Sequence, residues 1–244
     1  MSASLEILLK RLRLPSIAVC HTDMAIAAEK NSWSFGQYLH ELAKIEVNDR
    51  RLRRIERNLR GSSLPPDKTL GTLDQKQLPV KVRRQVSKLC DGSFVEKGEN
   101  VLAFGNPGTG KTHLVAALGH ELIQKGFKVL FIPTFRLVQQ LLVAKRELVL
   151  EKVLKRLDNV DVVILDDIGY VQQEREEMEI LFTFLSERYE RRSVAITSNL
   201  VFSQWGKIFK DEMTTAAAID RLVHHSTILE LVGKSYRSES RKQK

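Results

Sequence analysis

Cysteine, proline and aromatic residues are scarce in this chain of 244 residues: two Cys, six Pro and 7% Phe, Trp and Tyr. Cys20 and Cys90 lie far apart without metal-ligand spacing. That excludes a disulfide framework or a cysteine-rich metal site and points to reduced thiols in a cytoplasmic protein. No apolar run approaches the roughly 20 residues that a membrane span needs. The opening segment sets Lys10, Arg11 and Arg13 among leucines, which is not the layout of a signal peptide. Internal repeats and low-complexity tracts are missing too. The six histidines form no Ser-His-Asp order and no Cys/His cluster, so a second catalytic centre is not expected.

What is present is a globular composition, 43% hydrophobic and 28% charged, with a formal net charge of +9. A cationic balance of that size favours polyanionic partners. The charge is unevenly placed. Residues 1–60 carry 11 basic and 7 acidic groups, whereas residues 101–200 balance at 13 and 13. A neutral centre with basic flanks fits a core that does chemistry and a separate surface that grips a polyanion.

The pattern divides the chain. Residues 4–30 read as short helices interrupted at Pro15. Ser34 and Gln37 form a capping box before the apolar series Phe35, Tyr38, Leu39, Leu42, Ile45, Leu52, Ile55 and Leu59, a helix stopping at Gly61. Its last third bears Arg50, Arg51, Arg53, Arg54, Arg57 and Arg60, with Asp49 and Glu56 as nearby acids. Such a run is either a solvated face or a contact for phosphate backbone. Gly61–Thr69 is turn-rich and marks a boundary. Beyond it, apolar runs at 101–105, 128–133, 161–166, 193–198 and 226–232 alternate with helical patterns at 111–125, 135–157, 174–190 and 203–225. Alternation of that kind predicts right-handed βαβ crossovers and a mostly parallel sheet.

The residues Gly105-Asn106-Pro107-Gly108-Thr109-Gly110-Lys111-Thr112 satisfy the phosphate-loop spacing, between an apolar strand and an amphipathic helix. Glycines let consecutive N–H groups turn inward on phosphates, and the helix N-terminus adds partial positive charge. Lys111 is expected on the β- and γ-phosphates of ATP, with the Thr112 hydroxyl on magnesium. His113 continues the nucleotide-binding stretch. It shares a helix face with His120, where packing or exposure is the plain reading. Asp166, ending the apolar run Val162–Leu165, is the second magnesium residue. Asp167 is the expected base for the attacking water, in preference to Glu174, Glu176 and Glu177, which read as first-turn helix charge. Asn199 either senses the γ-phosphate or closes an Asx turn, and the other motifs favour the sensor. Arg221 serves either as an arginine supplied to a neighbouring subunit's site or as a partner of Asp220 or Glu212. Arg237 either contacts the γ-phosphate or is exposed in a polar tail.

With these residues, the chain resembles the IstB-like transposition helper ATPases, relatives of DnaC-type helicase loaders in the AAA+ superfamily. The likeness runs from Arg50–Arg60 through Leu64–Leu70, Gly105–Thr112, Leu165–Gly169, Thr197–Leu200 and Phe202–Trp205 to Asp220–His225 and Gly233–Arg237. It implies an α/β fold of the AAA+/ASCE type, a parallel five-stranded sheet with flanking helices and no C-terminal helical lid, behind a small all-α domain. The implied organisation is residues 1–62 for DNA binding or oligomerisation, 63–97 as linker and lead-in helix, and 98–244 as ATPase. The resemblance also implies ATP and Mg²⁺ as ligands, a homo-oligomer on double-stranded DNA, and a partner transposase. It casts Arg221 as the arginine finger, Arg237 as the sensor-two arginine, and Arg50, Arg53, Arg54, Arg57 and Arg60 as DNA contacts. The loop 69–78 is expected near the adenine, although its Gly71-Thr72 departs from the acidic and aromatic residues typical there. A helicase loader is the alternative within this superfamily. A small-molecule P-loop kinase would need an acceptor lid that is not recognisable here.

Overall fold

The computed structural model describes residues 2–170, 175–200 and 222–231. The chain divides into two compact units, residues 1–57 and 58–244.

The first unit is helical: α1 (Ser2–Arg11), α2 (Pro15–Lys30) and most of α3 (Phe35–Gly61), whose residues from Asn58 onward count with the second unit. Pro15 occupies the first turn of α2, where its missing N–H costs nothing. The Ser34 hydroxyl accepts the Gln37 N–H at 3.2 Å and so starts α3. The key polar residue is Glu46, only 3% exposed. Its carboxylate accepts the N–H groups of Ser16 (2.8 Å) and Ile17 (3.2 Å), supplying from α3 the N-terminal cap that Leu14 cannot give α2. The same carboxylate binds Arg50 Nε at 2.9 Å and Arg53 at 3.3 Å. Arg50 also donates to the Arg13 carbonyl. Besides Asp49 and Glu56, the nearby acids that the sequence offered for the arginine run, Glu46, one turn before Arg50, pairs with two of its members.

In the second unit, five strands form one parallel sheet: β1 (Asn100–Gly105), β2 (Val129–Pro133), β3 (Val162–Asp166), β4 (Ser193–Ser198) and β5 (Ser226–Leu231). Their order is β2-β3-β4-β1-β5. Helix α6 (Lys111–Gln124) covers one face, so closely that a Cβ on Gly119 would lie 2.9 Å from Ile164 Cδ1. The other face carries α7 (Thr134–Arg146), α8 (Leu150–Asp158) and α9 (Arg175–Arg188), with Leu137, Leu141, Leu181 and Phe184 packed on Leu102, Val163, Leu165 and Ile196. Strands buried on both faces need near-continuous apolar runs, as Val162–Leu165 supplies. The lead-in helix is α4 (Val80–Leu89), which buries Val82, Val86 and Leu89; a four-residue helix, α5 (Ser93–Glu96), follows. Gln85 of α4 donates to the Ile228 carbonyl of the edge strand β5.

One expectation needs correction. The helical pattern 135–157 is two helices, because Leu148 takes a left-handed conformation (φ 59°). The Val149 N–H reaches back to the Ala144 carbonyl at 2.9 Å, a turn normally closed by glycine. The turn-rich stretch after Gly61 packs within the second unit. Ser62 and Leu64 are buried, the Ser62 carbonyl accepts the Phe131 N–H at 2.7 Å, and His120 Nε2 lies 3.0 Å from the Pro65 carbonyl.

Candidate functional site

The strand order explains where the site forms. The chain leaves β1 by way of α6 for the far edge strand β2, returns through β3, and then inserts β4 between β3 and β1. Ligands of open parallel sheets bind beyond the strand C-termini where the winding changes direction. Here the C-terminal ends of β1, β4 and β3 stand side by side. They carry the phosphate loop, Thr197 with Asn199, and Asp166 with Asp167.

The loop from Gly105 to Thr112 turns through left-handed glycines, Gly108 (φ 83°) and Gly110 (φ 91°), conformations open to residues without a Cβ. Gly110 caps α6, whose first N–H groups therefore face the loop. Thr109 closes the turn by donating to the Asn106 carbonyl at 2.9 Å. Lys111 is 8% exposed and donates to the carbonyls of Gly105 (2.7 Å) and Asn106 (3.0 Å), placing its ammonium inside the loop. A cleft beside the loop is lined by Gly108, Gly110, Lys111, Thr112 and His113 on one side and by Lys68, Thr72, Leu73 and Asp74 on the other. His113 Nε2 lies 3.1 Å from both the Thr69 carbonyl and the Thr72 hydroxyl, so this histidine fastens the cleft's outer wall to α6. That is more than surface packing. It also spends the ring nitrogen on protein.

Asp166 is the hub of the polar network. Its Oδ1 accepts the Thr112 hydroxyl at 2.8 Å and the Thr197 hydroxyl at 2.7 Å. Its backbone carbonyl accepts the hydroxyl of buried Thr134 at 3.0 Å. The next residue, Asp167, is left-handed (φ 60°), and its N–H donates to Thr197 Oγ1 at 2.7 Å. Of the competing carboxylates, Glu176 pairs with Lys145 at 3.3 Å and Glu177 accepts Gln139 Nε2 at 3.0 Å, both toward α7. Glu174 lies outside the described residues. At the end of β4, Ser198 rather than Asn199 closes the strand, its hydroxyl accepting the Leu200 N–H at 3.0 Å. The Asn199 side-chain oxygen is buried against Gly169 and accepts no hydrogen bond among the described residues.

These groups fit a magnesium nucleotide. The turned-in loop and Lys111 offer donors to phosphate oxygens, and Thr112 and Asp166 bring a hydroxyl and a carboxylate to one point. Magnesium is commonly held by one or two such side chains together with substrate phosphates and water. Among the described residues no group of three or more His, Cys, Asp or Glu is arranged to hold a metal ion. Arg221 and Arg237 lie outside the described residues. Of the arginines assigned to DNA, Arg50 and Arg53 are half-exposed and bound to Glu46, whereas Arg54, Arg57 and Arg60 are exposed along α3.

Sequence reasoning missed three participants: Thr197, the His113–Thr72 fastening, and Glu46. Thr197 sits within a recognised run, Thr197-Ser198-Asn199, but its register against Asp166 is set by strand pairing across about 30 residues of chain.

Comparison with known proteins shows what the chain is similar to. A family model described as "IstB-like ATP binding protein" matches residues 7–244. An insertion sequence ATP-binding protein of Sinorhizobium fredii is 45% identical over 98% of this chain and 80% of its own length. The ATP-binding protein of insertion sequence IS21 from Pseudomonas aeruginosa is 39% identical over 98% of this chain and 90% of its own length. Among solved structures, that of DnaI superposes with a TM-score of 0.58 at 19% identity, covering 70% of this chain and 96% of DnaI; the likeness is one of fold.

Proposed function

Because this chain belongs to the IstB-like ATP-binding proteins of insertion sequences, we propose that it hydrolyses ATP with magnesium and uses nucleotide state to assemble on duplex DNA in the service of a transposase. The observation that carries the hydrolytic part is the convergence of Thr112 and Thr197 on one oxygen of Asp166, beside the phosphate loop. In this reading Gly105–Thr112 enclose the phosphates, with N–H groups directed at non-bridging oxygens. Lys111 exchanges its carbonyl partners for the β- and γ-phosphates. Thr112 and Asp166 hold magnesium, which when bound neutralises developing charge on the phosphate oxygens. Asp167 takes a proton from the attacking water as the water oxygen bonds to the γ-phosphorus; the bond from that phosphorus to the β–γ bridging oxygen breaks, ADP leaves with the electron pair, and Asn199 orients the water. Arg221 reaches the γ-phosphate of a neighbouring subunit, and Arg237 that of its own.

Two surfaces support a polyanionic partner. Arg54, Arg57 and Arg60 are exposed on α3, and Arg50 and Arg53 present their outer edges beyond Glu46. Helix α4 exposes Lys81, Arg83, Arg84 and Lys88, with no acidic residue between Gln75 and Cys90. No helix among the described residues is long and apolar enough to cross a membrane.

Phosphate release measured with and without magnesium and duplex DNA, alongside sizing of the protein with ATP and DNA, tests the whole reading. Magnesium-dependent release and a larger assembly requiring both ligands are expected. A protein that stays monomeric with both ligands overturns assembly. Tighter binding to single strands than to duplex across a salt series would instead favour a helicase loader.

A further inference from the structure

We propose that Thr197 is a positioning residue for hydrolysis: its hydroxyl aligns the carboxylate of Asp166 and the backbone of Asp167, and among the described residues it makes no hydrogen bond of its own to the phosphate loop. The proposal rests on the hydrolytic reading above and assigns a role to a residue one strand away from both nucleotide motifs.

Strand pairing creates the arrangement. Leu165 is in register with Ile196, so the next step along the two parallel strands brings Asp166 level with Thr197. Because β4 runs between β1 and β3, Thr197 stands between the two halves of the nucleotide site, and it is 1% exposed. A hydroxyl has one proton to donate and lone pairs to accept. Here the proton goes to Asp166 Oδ1 (2.7 Å) and a lone pair receives the Asp167 N–H (2.7 Å). One side-chain oxygen therefore ties two consecutive residues with separate duties.

Each tie has a consequence. Asp166 Oδ1 holds two hydroxyls, and that of Thr112 is the one magnesium would recruit. Thr197 has no such second duty, so its bond is what the protein keeps for orienting the carboxylate. Partners of metal ligands set both orientation and metal affinity. Asp167, for its part, is left-handed (φ 60°), a conformation that disfavours residues with a Cβ. The buried N–H bond to Thr197 offsets part of that cost and fixes the direction in which the Asp167 side chain leaves the strand. The phosphate loop and Lys111 are held by other bonds, to Asn106 and Gly105. Loss of the Thr197 hydroxyl should then impair the metal-dependent step and spare capture of the phosphates.

Thr197→Val keeps the shape and removes the hydroxyl; Thr197→Ser restores it. A fluorescent ADP analogue titrated in EDTA and then in magnesium gives the affinity gain due to metal, and phosphate release gives kcat and KM. For Thr197→Val, EDTA binding is expected within about threefold of wild type, with the magnesium gain and kcat each lowered about 10- to 100-fold. Thr197→Ser is expected to recover both. A valine variant with wild-type kcat and magnesium gain overturns the proposal. So does one that loses EDTA binding to the same degree, or a serine variant that rescues nothing, since a purely structural threonine would behave so. If wild type releases no phosphate, the hydrolytic reading fails by itself. The magnesium gain then still decides the case for Thr197.

Discussion

Gly169 and Asn199 approach so closely that a Cβ added to the glycine would lie 2.4 Å from the asparagine side-chain oxygen. The short turn after β3 (Ile168–Tyr170) thereby sets the position of a side chain that leaves the end of β4. Gly169→Ala must displace the Asn199 amide, because the opposing atom is held in a buried site. A misplacement of about 1 Å at a reacting centre costs up to roughly 100-fold in rate. Gly169→Ala is expected to lower kcat by about 10- to 100-fold while nucleotide affinity stays near wild type, read from phosphate release and analogue binding.

The two charged residues at the phosphates should separate binding from turnover. Lys111→Ala removes the cation within the loop and is expected to abolish productive ATP binding in equilibrium titrations. Asp167→Asn keeps the shape and removes the carboxylate proposed as the base; nucleotide should still bind, with turnover down about 100-fold or more. Equal hydrolysis by Asp167→Asn and wild type would reassign the base.

Glu46 predicts a pH dependence of the helical unit. Burial alone would push its carboxyl up, but the N–H of Ile17, the Arg50 guanidinium and the N–H of Ser16 outweigh it and hold it below the ordinary 4.5. A carboxyl lowered on folding stabilises the fold above its unfolded value and loses that contribution as pH falls through the folded one. Glu46→Gln should therefore destabilise residues 1–57 near neutrality by about 2 kcal/mol. The gap to wild type should narrow as pH drops below 4.5. Hydrogen exchange at the start of α2, followed across pH, measures both. A gap unchanged down to acid would dismiss the charge as its source.

Leu148 offers a test in the opposite direction. It is left-handed and 91% exposed, so its side chain contributes little to set against the backbone cost. Leu148→Gly is expected to stabilise the second unit by about 0.5–1 kcal/mol, seen as a higher denaturant midpoint at unchanged slope. A lower midpoint would mean that the α7–α8 corner depends on the leucine.

Much of the site was legible because its chemistry is local in sequence. The phosphate loop needs glycines, a lysine and a threonine at fixed steps on one strand–loop–helix turn, and those steps are visible in Gly105–Thr112. Asp166 was legible as the polar end of an apolar run. The five strands and their parallel sense followed from alternation with helices. Other features hid because their signals are not local. Leu148 breaks a helix without glycine, proline or asparagine, and a leucine in an apolar series reads as continuation. Glu46 is one of four acids scattered along α3, and only the approach of α2 to it makes it a cap.

The sequence by itself determined that a glycine-rich strand–loop–helix turn would form from Gly105 to Thr112, because backbone sterics and helix geometry act over a few residues. The tertiary structure decided that β4 lies between β1 and β3, that Thr197 stands level with Asp166, and that Gly169 makes room for Asn199. Those relations depend on pairing and packing between segments distant in the chain, Leu165 beside Ile196 and Val101 beside Ala195, where a single step of register would turn each side chain to the opposite face.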